Sequence, residues 1–421
     1  MEGLFDVSEA RQKLLEVFSR VESTHIPLTE AAGRVLAEDI LSDLDLPPFA
    51  NSSMDGFAVR SADTAAASRE RPVVLRVGAD IPAGTYPEKT LQPGEAFRIM
   101  TGAPIPPGAE AVIPVEDTSL NERQPGVEAP SQVEIFRSSL PGENIRPRGQ
   151  DIQKGSKVLS SGIRLRPQDI GLLAMLGIGR TAVYRRPRVG FFSTGDELLP
   201  VEAPLVPGKI HDSNAYILAS LIEKYGAAPV NLGIAKDRAE DVIAVLDQAL
   251  EERLDLIISS AGVSVGAFDY VRMVIEQRGG LTFWKVNMRP GKPLAFGGYQ
   301  GIPFIGLPGN PVSAFVGFEV FVRPAILKMA GLADLSRPAQ WVTLEDELHS
   351  DGRESYLRAV VEHRDGKLSA RLTGHQGSGN LRSLVQANAL LIMPSGVKSL
   401  PIGAETQAWM LDDSFPGLIP G

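Results

Sequence analysis

The chain predicts a multidomain α/β plus β protein: a central three-layer α/β domain, a discontinuous helical N-terminal domain, an inserted small β domain and a C-terminal β-barrel-like domain. Three observations carry this prediction. At 421 residues the chain exceeds what one ordinary hydrophobic core serves. Between residues 188 and 330, apolar runs of strand length alternate with helical patterns and end in polar loops, as in an open parallel sheet with a ligand crevice at its strand ends. Residues 73–137 and 341–407 instead carry short apolar runs broken by glycine and proline. Helical patterns occur before and after the first of these β regions. The expected division is therefore 1–47 with 141–180, an insert at 48–140, the α/β domain at 181–335 and the last domain at 336–421.

Composition narrows the chemistry. With 43% apolar and 22% charged residues the chain has material for packed cores. A net charge of −9 and a pI near 5.3 argue against nucleic acid as a partner, so an anionic ligand must meet a local basic pocket. The absence of cysteine excludes disulfides, thiol nucleophiles and cysteine zinc sites. The five histidines are scattered and none pair at ligand spacing, so any metal is expected to be a hard ion such as magnesium, held by carboxylates and water. No basic-then-apolar leader and no apolar run of membrane-spanning length is read, which predicts a cytoplasmic protein without a membrane partner.

In chain order, residues 6–41 read as two helices. Asp6 with Glu9 has capping-box spacing ahead of Ala10, Leu14, Leu15 and Phe18, and Thr29 caps a second helix carrying Val35, Leu36 and Ile40. Pro47-Pro48 then stops the helical pattern. The loop around Asp55 is either an Asx-rich turn or part of a site, and Thr101, directly after a strand, is open to the same two readings. Pro167 opens an apolar helix to about Leu176, and the glycines at 177 and 179 follow that helix rather than a strand, so they are no dinucleotide fingerprint.

In the α/β region, the strand at 189–192 leads to Ser193-Thr194-Gly195-Asp196-Glu197, and Asp212-Ser213-Asn214 caps a helix carrying Leu218 and Ile222. Asp237 has Glu240 three residues on and reads as a helix cap before a ligand. A strand at 254–258 runs into a small-residue loop, Asp269 begins a helix to about Gly279, and a strand at 281–286 precedes the basic loop with Arg289 and Lys292. After an apolar run ending at Leu307, Asn310 is placed to cap a helix and Pro311 suits its first position. Two polar stretches, around Arg353 and 373–381, interrupt the C-terminal β region, and the tail through Phe415-Pro416-Gly417 is expected to be poorly ordered.

Two chemistries compete for these loops. Gly262-Val263-Ser264-Val265-Gly266 fits a nucleophile elbow between strand and helix, which would make the chain a serine hydrolase. An elbow turns sharply at the strand end, however, and His349, His363 and His375 all fall beyond the α/β region. Phosphate chemistry fits more of the loops: Arg289 and Lys292 supply cationic donors, and Asp196, Glu197 and Asp269 supply hard oxygen ligands for magnesium. No Walker A sequence occurs, since Gly291-Lys292 is followed by Pro293.

Taken together, Pro48-Phe49-Ala50-Asn51-Ser52-Ser53-Met54-Asp55-Gly56-Phe57-Ala58, Met100-Thr101-Gly102-Ala103-Pro104, Ser193-Thr194-Gly195-Asp196-Glu197, Ser264-Val265-Gly266 with Asp269, Pro290-Gly291-Lys292-Pro293, Gly306-Leu307-Pro308-Gly309-Asn310-Pro311 and Gly377-Ser378-Gly379 followed by Ser383 form a set of family motifs. With them the chain resembles the molybdopterin molybdenumtransferases, the family of bacterial MoeA and the gephyrin E domain. The resemblance implies an elongated four-domain homodimer whose α/β domain is similar to the molybdopterin adenylyltransferases. It also implies the reaction: adenylylated molybdopterin and molybdate give molybdenum cofactor and AMP, with magnesium. By motif, Asp55, Thr101, Asp151, Glu197, Asp269 and Lys292 are the implied catalytic residues, and Asp196, Glu197 and Asp269 the implied metal ligands. Ser193, Thr194, Gly195, Asp237, Gly262, Ser264, Gly266, Arg289, Pro308, Asn310, Arg353 and Ser378 are the implied substrate-binding set. The resemblance allows Arg353 and Ser378 to act across the subunit boundary. Molybdopterin adenylyltransferase and molybdoenzyme-maturation proteins are the implied macromolecular partners; the alternatives are a non-catalytic scaffolding relative and a molybdopterin adenylyltransferase, whose activity belongs to the α/β domain alone and would not explain the flanking domains. Two positions depart from the family: Ala261 where many members carry glycine, and Arg289 where lysine is frequent.

Overall fold

A computed structural model describes residues 4–120, 128–261, 270–364 and 366–411, with Phe283 and Trp284 described by backbone alone. Gly262, Ser264, Gly266, Asp269 and the C-terminal tail lie outside the described residues. The chain divides into two compact units, residues 1–38, 161–171 and 179–421 in one and 39–160 and 172–178 in the other.

The larger unit is organised by a six-stranded sheet in the order Ala228–Ala235, Arg188–Thr194, Leu256–Ser260, Ile302–Leu307, Pro293–Tyr299, Gly279–Lys285. The first four strands are parallel. Alternation along them divides the core. Phe191, Leu256, Ile258 and Leu307 pack with Leu218 and Ile222 of the helix Ser213–Lys224 on one face. Phe192, Ile257 and Phe304 pack with Val242 and Leu246 of Ala239–Glu251 and Val274 of Tyr270–Arg278 on the other. Strands covered on both faces need near-continuous apolar runs, and the sequence supplies them.

The sheet is mixed rather than wholly parallel, because Pro293–Tyr299 runs antiparallel to both of its neighbours. Gln300 and Gly301, at φ 48° and 89°, make the two-residue turn that returns it to Ile302. Gly297-Gly298 interrupts its apolar run, which hides the strand from periodicity. Gly279–Lys285 still points the same way as Ile302–Leu307, so its basic loop reaches the expected edge.

Asp6 caps the helix Val7–Val17 by accepting from Ser8 N at 3.0 Å. The second N-terminal helix does not form. Ser23–Pro27 is a strand paired antiparallel with Arg180–Tyr184, Leu28–Glu30 is a single 3₁₀ turn, and Ile40–Leu41 is a short strand. Gly33, at φ 75°, turns the chain, and Val35 and Leu36 bridge to Arg164 and Val183. Backbone pairing with distant segments overrides a weak local helical pattern here.

Within the same unit, Glu354–Arg364, Lys367–Leu372, Ala339–Leu344, Glu405–Met410 and Ala389–Met393 pair in a ring that closes back on Glu354–Arg364, giving a five-stranded barrel. A helix running Pro311–Gly317 and Arg323–Met329 contains a π segment, Phe318–Val322, just before Pro324, whose missing N–H disturbs the regular ladder. Glu319 on that segment accepts from Tyr225 Oη at 2.9 Å and from Arg337, and Arg337 also donates to Met410 O at 2.7 Å. This buried pair ties the helix to the barrel; breaking one side of such a pair costs about 3–5 kcal/mol.

The smaller unit holds a five-stranded sheet, Ala111–Pro114, Gly56–Val59, Glu95–Ile99, Val73–Ile81, Gln132–Ile135. Its core contains Phe57, Leu75, Ala96 and Ile113.

Candidate functional site

The basic loop is delivered to the barrel by backbone pairing. Met288–Arg289 runs parallel to the start of Glu354–Arg364, with Met288 opposite Glu354 and Arg289 opposite Ser355. Arg353 Nη1 donates to Met288 O at 3.0 Å, and Arg353 pairs with Asp351 at 2.6 Å, holding that carboxyl down at about 2. Between loop and barrel lies a cavity of about 340 Å³ lined by Arg289, Lys292, Asn310, Arg353, Arg358 and Ser378 among others, and none of its described lining side chains is a carboxylate. Such a cavity suits a small anion and offers guanidinium, ammonium and hydroxyl donors together. Arg353 and Ser378 reach it from the same chain as Lys292.

Pro311 takes the first position of the Pro311–Gly317 helix as expected, but Asn310 makes no side-chain cap. Its Nδ2 instead donates to Ser378 Oγ at 2.9 Å, joining the turn after Leu307 to the barrel loop. Pro308 is buried at the cavity wall.

Beside this pocket the strand ends carry an acidic edge. Asp196 and Glu197 are exposed. Asp196 N donates to Asp237 Oδ2 and Asp237 N to Asp196 Oδ1, both at 3.4 Å. Asp237 is not a cap, since Arg238 holds the N-cap position of Ala239–Glu251 and no side chain caps it. Gly195, at φ 148°, makes room for Glu197: a Cβ there would meet Glu197 Oε2 at 2.5 Å. The three carboxylates implied as metal ligands are not seen gathered, because Asp269 lies outside the described residues, and among the described residues no group of three acids or histidines forms a metal cage. Asp196 and Glu197 carry hard oxygen donors of the kind magnesium takes alongside water.

Behind the edge is a polar network that contains the implied Ser193 and is centred on Asn214, whose role sequence reasoning missed. Ser193 Oγ lies 3.3 Å from Ser260 Oγ, and Asn214 Nδ2 donates to Ser260 Oγ at 2.9 Å and to Gly309 O at 2.8 Å. Asn214 thus locks the turn after Leu307 to the strand Leu256–Ser260. Its place after the capping Asp212 disguised it as part of a cap. Thr194 Oγ1 and Asn214 Oδ1 are buried without a protein partner, leaving hydrogen-bonding capacity for water or ligand to meet. Arg358 was missed too. Its signal was a charge inside the apolar strand Tyr356-Leu357-Arg358-Ala359-Val360-Val361.

In the smaller unit, Asp55 Oδ1 accepts from Thr101 N at 2.7 Å and from Thr101 Oγ1 at 2.9 Å, so these two implied residues are brought together. Asp151 pairs instead with Arg146 at 2.6 Å.

A mixed α/β sheet with polar loops at its strand ends, joined to a barrel across a basic pocket, forms a candidate small-molecule site for anionic ligands. Three family descriptions match the chain in succession: MoeA N-terminal region (domain I and II) over residues 5–177, probable molybdopterin binding domain over 190–328, and MoeA C-terminal region (domain IV) over 342–411. Molybdopterin molybdenumtransferase 2 of Mycobacterium tuberculosis is 41% identical over 412 residues, covering 96% of this chain and 99% of its own. The Bacillus subtilis molybdopterin molybdenumtransferase is 38% identical over 407 residues, covering 96% and 94%. Two crystal structures of the molybdopterin biosynthesis MoeA protein from Pyrococcus horikoshii are 31% and 32% identical, cover 97% of this chain and 100% of their own, and superpose with TM-scores of 0.83 and 0.81. The chain belongs to the molybdopterin molybdenumtransferase family. Neither the serine hydrolase nor the scaffold alternative gains support from these relatives.

Proposed function

We propose that this chain is a transferase of molybdenum cofactor biosynthesis that takes adenylylated molybdopterin and molybdate to molybdenum cofactor and AMP. The observation that carries the site assignment is the basic cavity. Molybdate is a tetrahedral dianion, and Lys292, Arg353, Ser378 and Arg289 surround a cavity of about 340 Å³ with charged and hydroxyl donors and no carboxylate among the described lining. In this reading Arg353, held by Asp351 and Met288 O, and Lys292 bind the oxyanion. The Ser193–Glu197 loop, with Asp237, Gly262, Ser264 and Gly266, receives the pterin nucleotide, and Asp55, Thr101 and Asp151 belong to the catalytic set that the family motifs imply. Asp196, Glu197 and Asp269 hold magnesium. When bound, the ion neutralises phosphate oxygens and polarises the bond broken as AMP leaves. The four-domain division, a homodimer, a cytoplasmic location and partnership with molybdopterin adenylyltransferase and molybdoenzyme-maturation proteins belong to the same proposal.

Single-turnover measurement of AMP release and cofactor formation, with magnesium and molybdate varied, tests the reading. The expected result is AMP release coupled to molybdate-dependent cofactor formation. Tight nucleotide binding without turnover at any magnesium or oxyanion concentration would establish a scaffold instead. Arg353→Ala is expected to raise the molybdate KM about tenfold or more, the loss of one charge-assisted contact, with little change in the nucleotide KM. Equal losses for both substrates would remove Arg353 from the oxyanion site.

A further inference from the structure

Arg358 is 1% exposed, less than any other charged residue among the described residues. It sits in the buried start of the strand Glu354–Arg364 and lines the basic cavity. Every acceptor recorded for its guanidinium is neutral: Ser383 Oγ at 3.1 Å from Nε, Gln376 O at 3.2 Å from Nη1, and His375 O and Gly377 O at 3.4 and 3.0 Å from Nη2. Arg337 is also buried, yet it has the Glu319 carboxylate. Burial, reinforced by repulsion from Arg289, lowers the Arg358 pKa to about 10, so the group is still a cation at neutral pH, and among the described residues no carboxylate counters the shift. A buried charge without a counter-ion is costly in a folded chain unless something recovers the cost.

The carbonyls it grips belong to the three residues before Ser378. Gln376 closes the clamp from the other side: its Oε1 accepts from Arg358 N at 2.9 Å and its Nε2 donates to Arg358 O at 3.1 Å. We infer that Arg358 is a positioning residue for the oxyanion: it fixes loop 375–378 so that Ser378 faces the cavity, and its uncompensated charge makes a dianion the favoured occupant. This rests on the basic cavity being the molybdate site. Three main-chain carbonyls and Ser383 Oγ take four of the five guanidinium N–H donors, so Arg358 acts chiefly through the loop and through its field.

The test uses the full chain with Arg358→Met, Arg358→Lys and Gln376→Ala, each checked for a cooperative melt. Arg358→Met is expected to raise the molybdate KM about 10- to 100-fold, the range of a lost charge-assisted interaction, leaving kcat at saturation and the nucleotide KM within about twofold. Arg358→Lys, which keeps the charge and loses the fork, recovers part of that loss. In the wild type, sulfate competes with molybdate at least about tenfold better than the monoanion perchlorate, and Arg358→Met erases the difference. If Arg358→Met does not fold, Gln376→Ala decides: it removes the side-chain half of the clamp while leaving the buried charge and its carbonyl contacts in place, and is expected to raise the molybdate KM alone by about threefold or more. An unchanged molybdate KM, or equal changes for both substrates, overturns the inference while leaving the cavity assignment intact. A wild type whose AMP release does not depend on molybdate removes both.

Discussion

Arg353 and Asp196 both stand at the ligand-facing end of the same strand-and-barrel assembly, yet they are held in opposite ways. Arg353 is half-buried and fixed by Asp351 and by Met288 O, and beside it Arg358 is gripped by four neutral acceptors. Asp196 is exposed, and its contact with Asp237 is a pair of long 3.4 Å bonds through backbone amides. The basic pocket is therefore arranged before its ligand arrives and loses little freedom on binding. In the proposed reading the acidic edge acquires order when magnesium draws its carboxylates together, so that one region supplies selectivity by prior geometry and the other by ligand charge and count.

The largest expected effect breaks the pre-arranged side. Lys292→Ala removes the only lysine from a cavity lining whose other cations are arginines and is expected to lower turnover about 100- to 1000-fold, as loss of one pre-placed donor does elsewhere, with an unchanged melt. A lost cooperative melt would show Lys292 to be structural. Next in size is Asp196→Asn, read in a magnesium titration. Because even outer partners of metal ligands change affinity about 10- to 100-fold, an apparent magnesium constant weakened at least about tenfold is expected, with the molybdate KM unmoved. An unaltered magnesium dependence would separate the acidic edge from the ion.

Asn214 joins the two regions, since it holds both Ser260 of the acidic edge's sheet and Gly309 beside the pocket. Asn214→Ala strips a hydrogen bond from the Gly309 carbonyl and is expected to cost about 1–3 kcal/mol in a denaturant melt and to impair both substrates. A variant that affects one substrate only would show the regions to be uncoupled. This residue also marks how far the sequence was legible. The parallel strands, the Asp6 and Asp212 caps and the loops bearing Asp196, Lys292 and Arg353 were readable because strand and helix periods and turn chemistry are local. The expected helix after Thr29 failed because Ser23–Pro27, Val35 and Leu36 pair with segments more than a hundred residues away. Asn214 and Arg358 escaped for the same reason: their partners, Gly309 and loop 375–377, are set by tertiary placement, and only the charge of Arg358 in an apolar run hinted at it.

The smallest effect concerns Ala261, which departs from the family's frequent glycine. Its φ is 73°, a left-handed conformation in which an L side chain crowds its own carbonyl at a cost of about 1–2 kcal/mol. Its N–H is nonetheless held at 3.0 Å by Leu307 O, and its methyl faces Gly309, where an added Cβ would lie 3.0 Å away. Glycine at this position relieves the strain but loses about 0.5–1 kcal/mol through the greater freedom of the unfolded chain. The strain term is larger, so Ala261→Gly is expected to stabilise the protein by roughly 0.5–1 kcal/mol, a rise of about 1–3 °C in Tm. A destabilised Ala261→Gly would mean that the methyl's packing against Gly309 outweighs the backbone strain, and that the 309 turn of the basic pocket is held from the acidic side as well as by Asn214.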